Sequence, residues 1–191
     1  MRMKYPEFLR KLKRGPQVIL PKDFGMIVAF TCVGHESVCV DAGAGSGWLA
    51  CMLGNICKKV VSYEWREEFA EIARKNTERA GLKNVEVKVK DVFAGIDERE
   101  VDLVVLDLAN AENAVAHAHA ALGKGGSLVG YLPHAEQVQK FVAACEAAGF
   151  AEADIFTIEN MVREMLVRKQ GFRPDTKGLW HTGYLTFAKK V

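Results

Sequence analysis

The sequence predicts an α/β fold in which helices cover a doubly wound, mostly parallel sheet. Short β-branched runs alternate with amphipathic segments along most of the chain, and this order is typical of parallel strands joined by helices. Residues 101–106 are apolar almost throughout, as expected for a central strand that is buried on both faces. The last two strand candidates have no good helix between them, so we expect an antiparallel pair at one edge of the sheet.

Each element is predicted from its apolar spacing and from the signals at its ends. The first strand follows Ser37 and leads into a glycine-rich turn and a short helix. Further strands are predicted at residues 60–64, 85–89, 101–106, 127–132, 153–159 and 182–188. Further helices are predicted at residues 25–31, 66–80, 111–122 and 135–148. Asp23 is the expected cap of the helix at 25–31, and Lys124-Gly125-Gly126 is the expected turn before the fifth strand.

The composition is that of a single globular domain. The chain has 191 residues, of which 49% are hydrophobic, and a formal net charge of +2, so overall charge favours neither nucleic acid nor membrane. It contains no apolar run of about twenty residues and no apolar core of signal type near its beginning, so we expect a cytoplasmic protein with no membrane partner. The five cysteines are scattered and show no zinc spacing, which predicts buried thiols and no metal site.

We predict a basic N-terminal arm at residues 1–14 and one domain at residues 15–191. Against Glu7 alone, the arm carries six basic residues: Arg2, Lys4, Arg10, Lys11, Lys13 and Arg14. Such a patch either contacts phosphate groups or forms a solvated arm, and both interpretations stay open.

The pattern Asp-x-Gly-x-Gly-x-Gly runs from Asp41 to Gly47, between the first strand and its helix. Glycine accepts positive φ and has no Cβ to keep a ligand from the backbone, and the following helix begins with free N–H groups. In the dinucleotide fingerprint a third glycine would occupy the position of Trp48, so we expect no NAD here. The alternative is an ordinary strand-to-helix turn without a ligand.

Four acidic residues fall at or just beyond the ends of predicted parallel strands: Asp41, Glu64, Asp91 and Asp107. Ligands of open α/β sheets bind outside those strand ends. Glu64 lies about twenty residues beyond the glycine turn, where an acid can accept the hydroxyl groups of a ribose. Structural alternatives remain for three of them, because Glu64 and Asp91 could cap helices and Asp107 could be a turn residue.

The glycine pattern resembles motif I of the class I S-adenosylmethionine (SAM) methyltransferases. This resemblance implies their Rossmann-like, doubly wound, mostly parallel seven-stranded sheet with an antiparallel edge pair, and it implies SAM as the cofactor. It also implies that Glu64 binds the ribose, that Asp91 accepts from the adenine amino group, and that Asp107 is the catalytic residue that faces both methyl group and acceptor. The SAM-binding set implied is Asp41, Gly43, Gly45, Ser46, Gly47, Trp48, Leu49, Glu64, Asp91 and Asp107.

Further segments resemble the tRNA (adenine-N1)-methyltransferases of archaea and bacteria, which act on the T-loop. These segments are residues 15–23 (GPQVILPKD), 62–64 (SYE), 131–133 (YLP) with Gln137-Val138, and 181–185 (HTGYL). The resemblance implies tRNA as the substrate and N1 of an adenosine as the methyl acceptor. It also implies that the first segment lies by the active site and the last on a late strand near the substrate.

Two features differ from that family. Its members carry a β-rich N-terminal domain used in assembly and RNA binding, where this sequence has only the basic arm. They also have Pro-Trp after the motif IV aspartate, where this sequence has Leu108-Ala109. Two alternatives therefore stay open, namely a methyltransferase for a small molecule or protein, and a non-catalytic SAM-binding subunit. Either a monomer or a homo-oligomer is compatible with the sequence.

Other residues are candidates for RNA contacts. Tyr131, Trp180 or His181 could supply an aromatic surface for a base. Near Phe172 and Trp180 the sequence also carries a basic cluster: Arg163, Arg168, Lys169, Arg173 and Lys177. This mixture suits RNA backbone and stacking contacts, and it equally suits a solvated loop.

Overall fold

The computed structural model describes residues 5–15, 17–176 and 181–191. Its strands are β1 (Val38–Ala42), β2 (Lys59–Glu64), β3 (Val85–Val89), β4 (Val101–Leu106), β5 (Leu122–Leu132), β6 (Ile155–Glu159), β7 (Met165–Arg168), β8 (Gly171–Pro174) and β9 (Tyr184–Lys189). Its helices are α1 (Glu7–Arg10), α2 (Pro21–Thr31), α3 (Trp48–Gly54), α4 (Glu67–Ala80), α5 (Val115–Ala121) and α6 (Ala135–Ala148). Short 3₁₀ turns occur at Val92–Ala94, Ala111–Ala114 and Glu152–Asp154.

Seven strands form one sheet in the order β3-β2-β1-β4-β5-β9-β6. Strands β1 to β5 pair in parallel, and β9 pairs antiparallel with both β5 and β6. The predicted doubly wound sheet with an antiparallel edge is confirmed. The chain moves from β1 outward to β3 and then returns to place β4 on the other side of β1. This reversal opens a crevice at the carboxyl ends of β1 and β4, where such sheets bind ligands.

An apolar layer covers each face of the sheet. Successive residues of β1 supply opposite layers, because Val40 packs in the layer that contains Phe141 of α6, whereas Cys39 packs in the layer that contains Trp48 of α3. The described part of the predicted arm joins the second layer, since Leu9 and Leu12 are buried there. Residues 1–4, with Arg2 and Lys4, lie outside the described residues.

The predicted role of Asp23 as a helix cap is wrong. Helix α2 begins at Pro21 rather than near residue 25, and its cap position is Leu20. Proline suits the first helical turn because its fixed φ is already helical and its missing N–H is not needed there. Asp23 is instead fully buried inside the helix and accepts hydrogen bonds from Lys22 Nζ (2.7 Å) and Thr182 Oγ1 (2.9 Å).

Two other predicted elements, a helix and a turn, also differ in the structure. The predicted helix at 111–122 divides into a 3₁₀ turn and α5, and Leu122 already belongs to β5. The predicted turn at residues 124–126 lies inside β5 as a bulge, because Leu122 pairs with Val101 and the pairing resumes only between Ser127 and Leu103. Gly125 makes this bulge possible, since its φ is +81°.

Strands β7 and β8 form a separate antiparallel hairpin that the sequence pattern did not predict. It carries Arg168 and Arg173 of the basic cluster, and the side chain of Phe172 is two-thirds exposed. Lys177 and Trp180, which were also considered for RNA contacts, lie outside the described residues. Among the helices of the described ranges, none is long and apolar enough to cross a bilayer.

Candidate active site

The glycine turn between β1 and α3 has a left-handed backbone at three positions. The φ angles of Gly43, Gly45 and Gly47 are +92°, +52° and +74°. A Cβ atom on Gly43 would overlap the main-chain carbonyl of Asp107, and one on Gly47 would lie 2.9 Å from the Cβ of Ala73. A Cβ on Gly45 would meet little protein. The outer glycines thus allow close packing, whereas the middle glycine leaves the backbone open to a ligand.

Strand β2 holds this turn in place. The N–H groups of Gly43 and Ala44 both donate to the carbonyl oxygen of Tyr63, at 3.0 Å. The N–H of Gly45 donates to Glu64 Oε2 at 2.9 Å. Because Glu64 is almost fully buried, its carboxylate is a fixed part of the turn. Glu64 therefore points toward the glycine turn, as the predicted ribose-binding role requires.

A cavity of about 670 Å³ lies over the turn, a volume typical of small-molecule sites. Six predicted site residues line it: Gly43, Gly45, Ser46, Glu64, Asp91 and Asp107. Residues that sequence reasoning did not assign to the site also line it: Gln17, Tyr63, Trp65, Arg66, Phe69, Lys90, Val92, Phe93, Leu108, Ala109 and Asn110. The cavity thus combines a polar floor with aromatic walls.

Four predicted site residues do not line the cavity. Gly47 packs under α4, and the side chains of Trp48 and Leu49 are buried in the apolar layer beneath α3. Trp48 makes an edge-on contact with Tyr5 and lies under the guanidinium group of Arg14. These residues shape the turn from below.

Asp41 lies below the turn and is 1% exposed. Its Oδ2 accepts a hydrogen bond from Ser62 Oγ at 2.7 Å, while Oδ1 has no partner among the described residues. Burial, assisted by the charge of Glu64, raises the pKa of Asp41 to about 6. This carboxylate supplies negative potential under the turn at neutral pH.

Glu64 and Asp91 keep acceptor positions after their contacts with protein. Glu64 Oε1 accepts from the backbone N–H and Nε of Arg66, whereas Oε2 accepts only from Gly45 among the residues that the structure describes. A carboxylate has about four acceptor positions, so one position on Oε2 remains for a hydroxyl group. Asp91 Oδ1 accepts from the N–H of Phe93 at 2.9 Å and caps the 3₁₀ turn there. Asp91 therefore does have the capping role considered above, and it also lines the cavity.

Asp107 follows β4 and separates two cavities. Besides the large one, it lines a second cavity of about 210 Å³ together with Tyr131 and His181. The surrounding protein desolvates its carboxyl group, and this burial, with the charge of Asp41, raises the pKa of Asp107 to about 7. Asp107 is thus the titrating group that both cavities share.

The second cavity is walled by three of the four segments whose sequences resemble the tRNA methyltransferases, namely residues 15–23, 131–133 and 181–185. Gln17, Val18 and Leu20 come from the first segment, and His181 and Thr182 from the last. A buried network joins them, because Lys22 Nζ donates to Asp23 Oδ1, Thr182 Oγ1 and the Asn160 carbonyl at 2.6–2.7 Å. Tyr131 completes the wall and donates its hydroxyl proton to the Thr182 carbonyl at 2.7 Å.

The larger cavity fits SAM in shape and charge. The open face of Gly45 accommodates a ligand against the backbone, and Glu64 has a free acceptor position for a sugar hydroxyl. Three carboxylates, of Asp41, Glu64 and Asp107, lie at or under this end of the cavity, which favours a cationic ligand such as a sulfonium. Within the described ranges, no group of acidic, histidine or cysteine side chains could hold a metal ion.

Comparison with known proteins identifies tRNA methyltransferases as relatives of this chain. A model of the family "tRNA methyltransferase complex GCD14 subunit" matches residues 5–176. The chain is 38% identical to the tRNA (adenine(57)-N(1)/adenine(58)-N(1))-methyltransferase TrmI of Methanocaldococcus jannaschii, over 96% of this chain and 75% of that protein.

Two solved structures are also similar. The tRNA (m1A58) methyltransferase TrmI of Aquifex aeolicus has a TM-score of 0.88 and 27% identity over 97% of this chain and 76% of that one. A SAM-dependent O-methyltransferase of Thermotoga maritima has a TM-score of 0.90 and 32% identity over 97% of this chain and 72% of that one. The family match covers nearly all of the described fold and the whole glycine turn. The chain therefore belongs to the tRNA methyltransferase complex GCD14 subunit family, and it is a methyltransferase of the class I fold.

Proposed function

We propose that this protein transfers the methyl group of SAM to N1 of an adenosine in tRNA. The observation that carries the proposal is the position of Asp107, which lies in the wall between the cavity over the glycine turn and the second cavity. The cofactor would occupy the first cavity and the target base the second. A residue between them can face both reacting groups, as methyl transfer requires.

In the first cavity, Glu64 would accept one ribose hydroxyl through Oε2, and Asp91 would accept from the adenine amino group through its free oxygen. The amino-acid part of SAM would lie against Gly43, Gly45 and Ser46. When bound, SAM supplies an activated methyl group on a positively charged sulfur. Asp41, Gly47, Trp48 and Leu49 would act indirectly, by fixing the turn.

In the second cavity, Asp107 would orient the acceptor. N1 of neutral adenine has the lone pair that forms the new carbon–nitrogen bond, while the breaking carbon–sulfur bond leaves its electron pair on sulfur. The adenine ring thereby takes up the positive charge. An ionised Asp107 can accept a hydrogen bond from the neighbouring exocyclic amino group and stabilise this charge.

Basic residues on the segment that leads to the second cavity support an RNA substrate. Arg14 lines that cavity, and the described part of the arm adds the exposed side chains of Arg10, Lys11 and Lys13. Lys11 is paired with Glu7 at the surface, where such pairs are weak and easily exchanged for phosphate. A flexible RNA loop can present an unstacked base to a cavity while its phosphates bind such residues.

A second candidate is methyl transfer to a small molecule or to a protein side chain. It is favoured by Leu108-Ala109 in place of Pro-Trp beside Asp107, since a large aromatic platform for a base is missing there. In that case Tyr131 and His181 would bind a smaller acceptor in the second cavity.

The experiment that separates these candidates uses SAM with a labelled methyl group. The purified protein is incubated with unmodified tRNA, with a panel of small acceptors, and with a protein extract, and tRNA is digested to nucleosides for mass spectrometry. We expect labelled N1-methyladenosine, and its loss in Asp107→Ala. Label found only in small molecules or protein would favour the second candidate. A protein that binds SAM but labels none of the three would be the non-catalytic subunit.

A further inference from the structure

Asn76 is a fully buried polar residue on the inner face of α4. Its spacing is that of an apolar residue, because it falls on the same helix stripe as Ala73 and Ala80. A buried amide in such a position is costly unless all its polar atoms have partners. The hydrogen-bond partners of Asn76 therefore indicate its structural role.

All polar atoms of the Asn76 side chain are used. Nδ2 donates to the carbonyl oxygen of Lys13 at 2.8 Å and to that of Ser46 at 2.7 Å. Oδ1 accepts from the N–H of Lys13 at 2.8 Å and from Arg79 Nη1 at 3.0 Å. One side chain thus binds both backbone groups of Lys13 and, at the same time, the carbonyl of Ser46 in the glycine turn.

The segment that Asn76 holds, residues 13–15 and 17–18, is called the strap here. It lies directly on the glycine turn, since a Cβ atom on Gly15 would be 3.2 Å from both Cβ and Oγ of Ser46. Arg14, Gln17 and Val18 of the strap line the second cavity, and Gln17 lines both cavities. The strap is therefore a wall that the cofactor cavity and the acceptor cavity share.

We infer that Asn76 is a positioning residue that fixes the strap to the glycine turn and so couples cofactor binding to the shape of the acceptor cavity. It touches neither cavity itself. It acts through Ser46 on the cofactor side and through Lys13, the neighbour of Arg14, on the acceptor side. The inference rests on the proposed function only for the identities of the two ligands.

The test compares Asn76 with Asn84, which makes the same kind of contact elsewhere. Asn84 Nδ2 donates to the carbonyl oxygens of Gly54 and Cys57, both at 2.8 Å. Asn84 lies just before β3, at the amino end of the strands and away from both cavities. Substitution of either residue by Asp replaces the donor with an acceptor that faces two carbonyl oxygens (Asn76→Asp, Asn84→Asp). Substitution by Ala removes the contacts without adding charge (Asn76→Ala, Asn84→Ala).

Stability, SAM affinity by calorimetry, and kcat and KM with tRNA are measured for the unsubstituted protein and the four variants. We expect all four variants to melt at lower temperature. Only the Asn76 variants should raise both the Kd for SAM and the KM for tRNA, each about tenfold, because misplacement of a wall by about 1 Å is enough for such losses. If folded Asn76 variants match the Asn84 variants in Kd and KM, the inference is wrong.

A measurement on the unmodified protein covers the case in which the Asn76 variants fail to fold. Hydrogen exchange of the Lys13 N–H, which donates to Asn76 Oδ1, is followed with and without S-adenosylhomocysteine. A coupled strap should exchange about tenfold more slowly with the ligand bound, because coupling acts in both directions. Unchanged exchange despite ligand binding would overturn the inference. A protein without SAM binding or methylation would instead contradict the proposed function.

Discussion

Gly43 packs against the main-chain carbonyl of Asp107 so closely that no side chain fits between them. The N–H of Asp107 in turn donates to the carbonyl of Ala42 at 2.9 Å. The turn that would bind the cofactor and the residue that would face the acceptor are therefore joined through their backbones. Their relative position is set by the pairing of β1 with β4 rather than by flexible side chains.

Gly43→Ala should abolish SAM binding. The new Cβ atom would force the turn away from Asp107, and φ of +92° is unfavourable for alanine as well. Calorimetry with SAM and thermal melting are the measurements. Gly25→Ala is the matched control, because Gly25 lies in α2 with open space around it, and alanine should there stabilise the helix by up to about 1 kcal/mol. Normal SAM affinity in Gly43→Ala would contradict this account of the turn.

Glu64→Gln should raise the Kd for SAM about tenfold, equivalent to the loss of one charge-assisted hydrogen bond. The amide has a single oxygen, so its NH2 group must face either the two Arg66 donors at the place of Oε1 or the Gly45 N–H and the ribose hydroxyl at the place of Oε2. Titration calorimetry with S-adenosylhomocysteine checks this prediction. Glu67→Gln removes an exposed carboxylate of α4 that pairs with Arg74 and should leave the affinity unchanged. Equal affinities of the two variants would exclude Glu64 as a cofactor ligand.

Asp107→Asn should lower kcat by about a hundredfold, the usual effect of losing one electrostatic contact to the transition state. It should also raise the melting temperature at about pH 8, by about 3 °C or more. In the folded protein the pKa of Asp107 is raised to about 7, whereas the unfolded value is near 4. Ionisation of Asp107 therefore destabilises the folded protein increasingly as the pH rises from about 4 to about 7.

The melting-temperature gain of Asp107→Asn should accordingly shrink as the pH falls from about 7 to about 4 and be lost below that, where the wild-type carboxyl is protonated in both states. Melting curves at several pH values and single-turnover kinetics measure the two effects. A variant that lost activity together with stability at every pH would indicate a structural role for Asp107 instead.

The pH profile of kcat/KM should rise through about pH 7, because the deprotonated form of Asp107 is the active one. Asp41→Asn removes a neighbouring negative charge that helps to raise the pKa of Asp107, so the midpoint of the rise should move to lower pH. The control is Asp97→Asn, since Asp97 is an exposed residue paired with Lys88 and Lys90. A midpoint that does not move in Asp41→Asn would argue against Asp107 as the titrating group.

The sheet could be predicted from the sequence because its signals are local. The β-branched runs, the glycine turn and the acid at each strand end place Asp41, Glu64, Asp91 and Asp107 at one rim. The same locality explains the errors. Aspartate is a residue type that commonly caps helices. The partner of Asp23, Thr182, is distant in sequence, so only the folded chain shows that Asp23 belongs to a buried network.

The cavity walls were missed for the same reason. Phe69 fits the apolar stripe of α4, yet it lies at the rim of the cavity with the guanidinium group of Arg66 3.9 Å from its ring centroid. Asn76 fits the same stripe, and nothing local indicates that it binds Lys13. Trp65 and Arg66 directly follow the strand-end acid Glu64, and this adjacency is the signal that could have identified them.

The most direct test of the account is a crystal structure of the protein with S-adenosylhomocysteine and a short RNA that contains the target adenosine. We expect Glu64 to contact the ribose of S-adenosylhomocysteine. We expect the adenine ring of the target adenosine to lie in the second cavity. The Asp107 carboxylate should lie between the sulfur and the exocyclic amino group of the base. S-adenosylhomocysteine bound elsewhere than over Gly45, or a target base on the far side of the strap from Asp107, would contradict the proposed function.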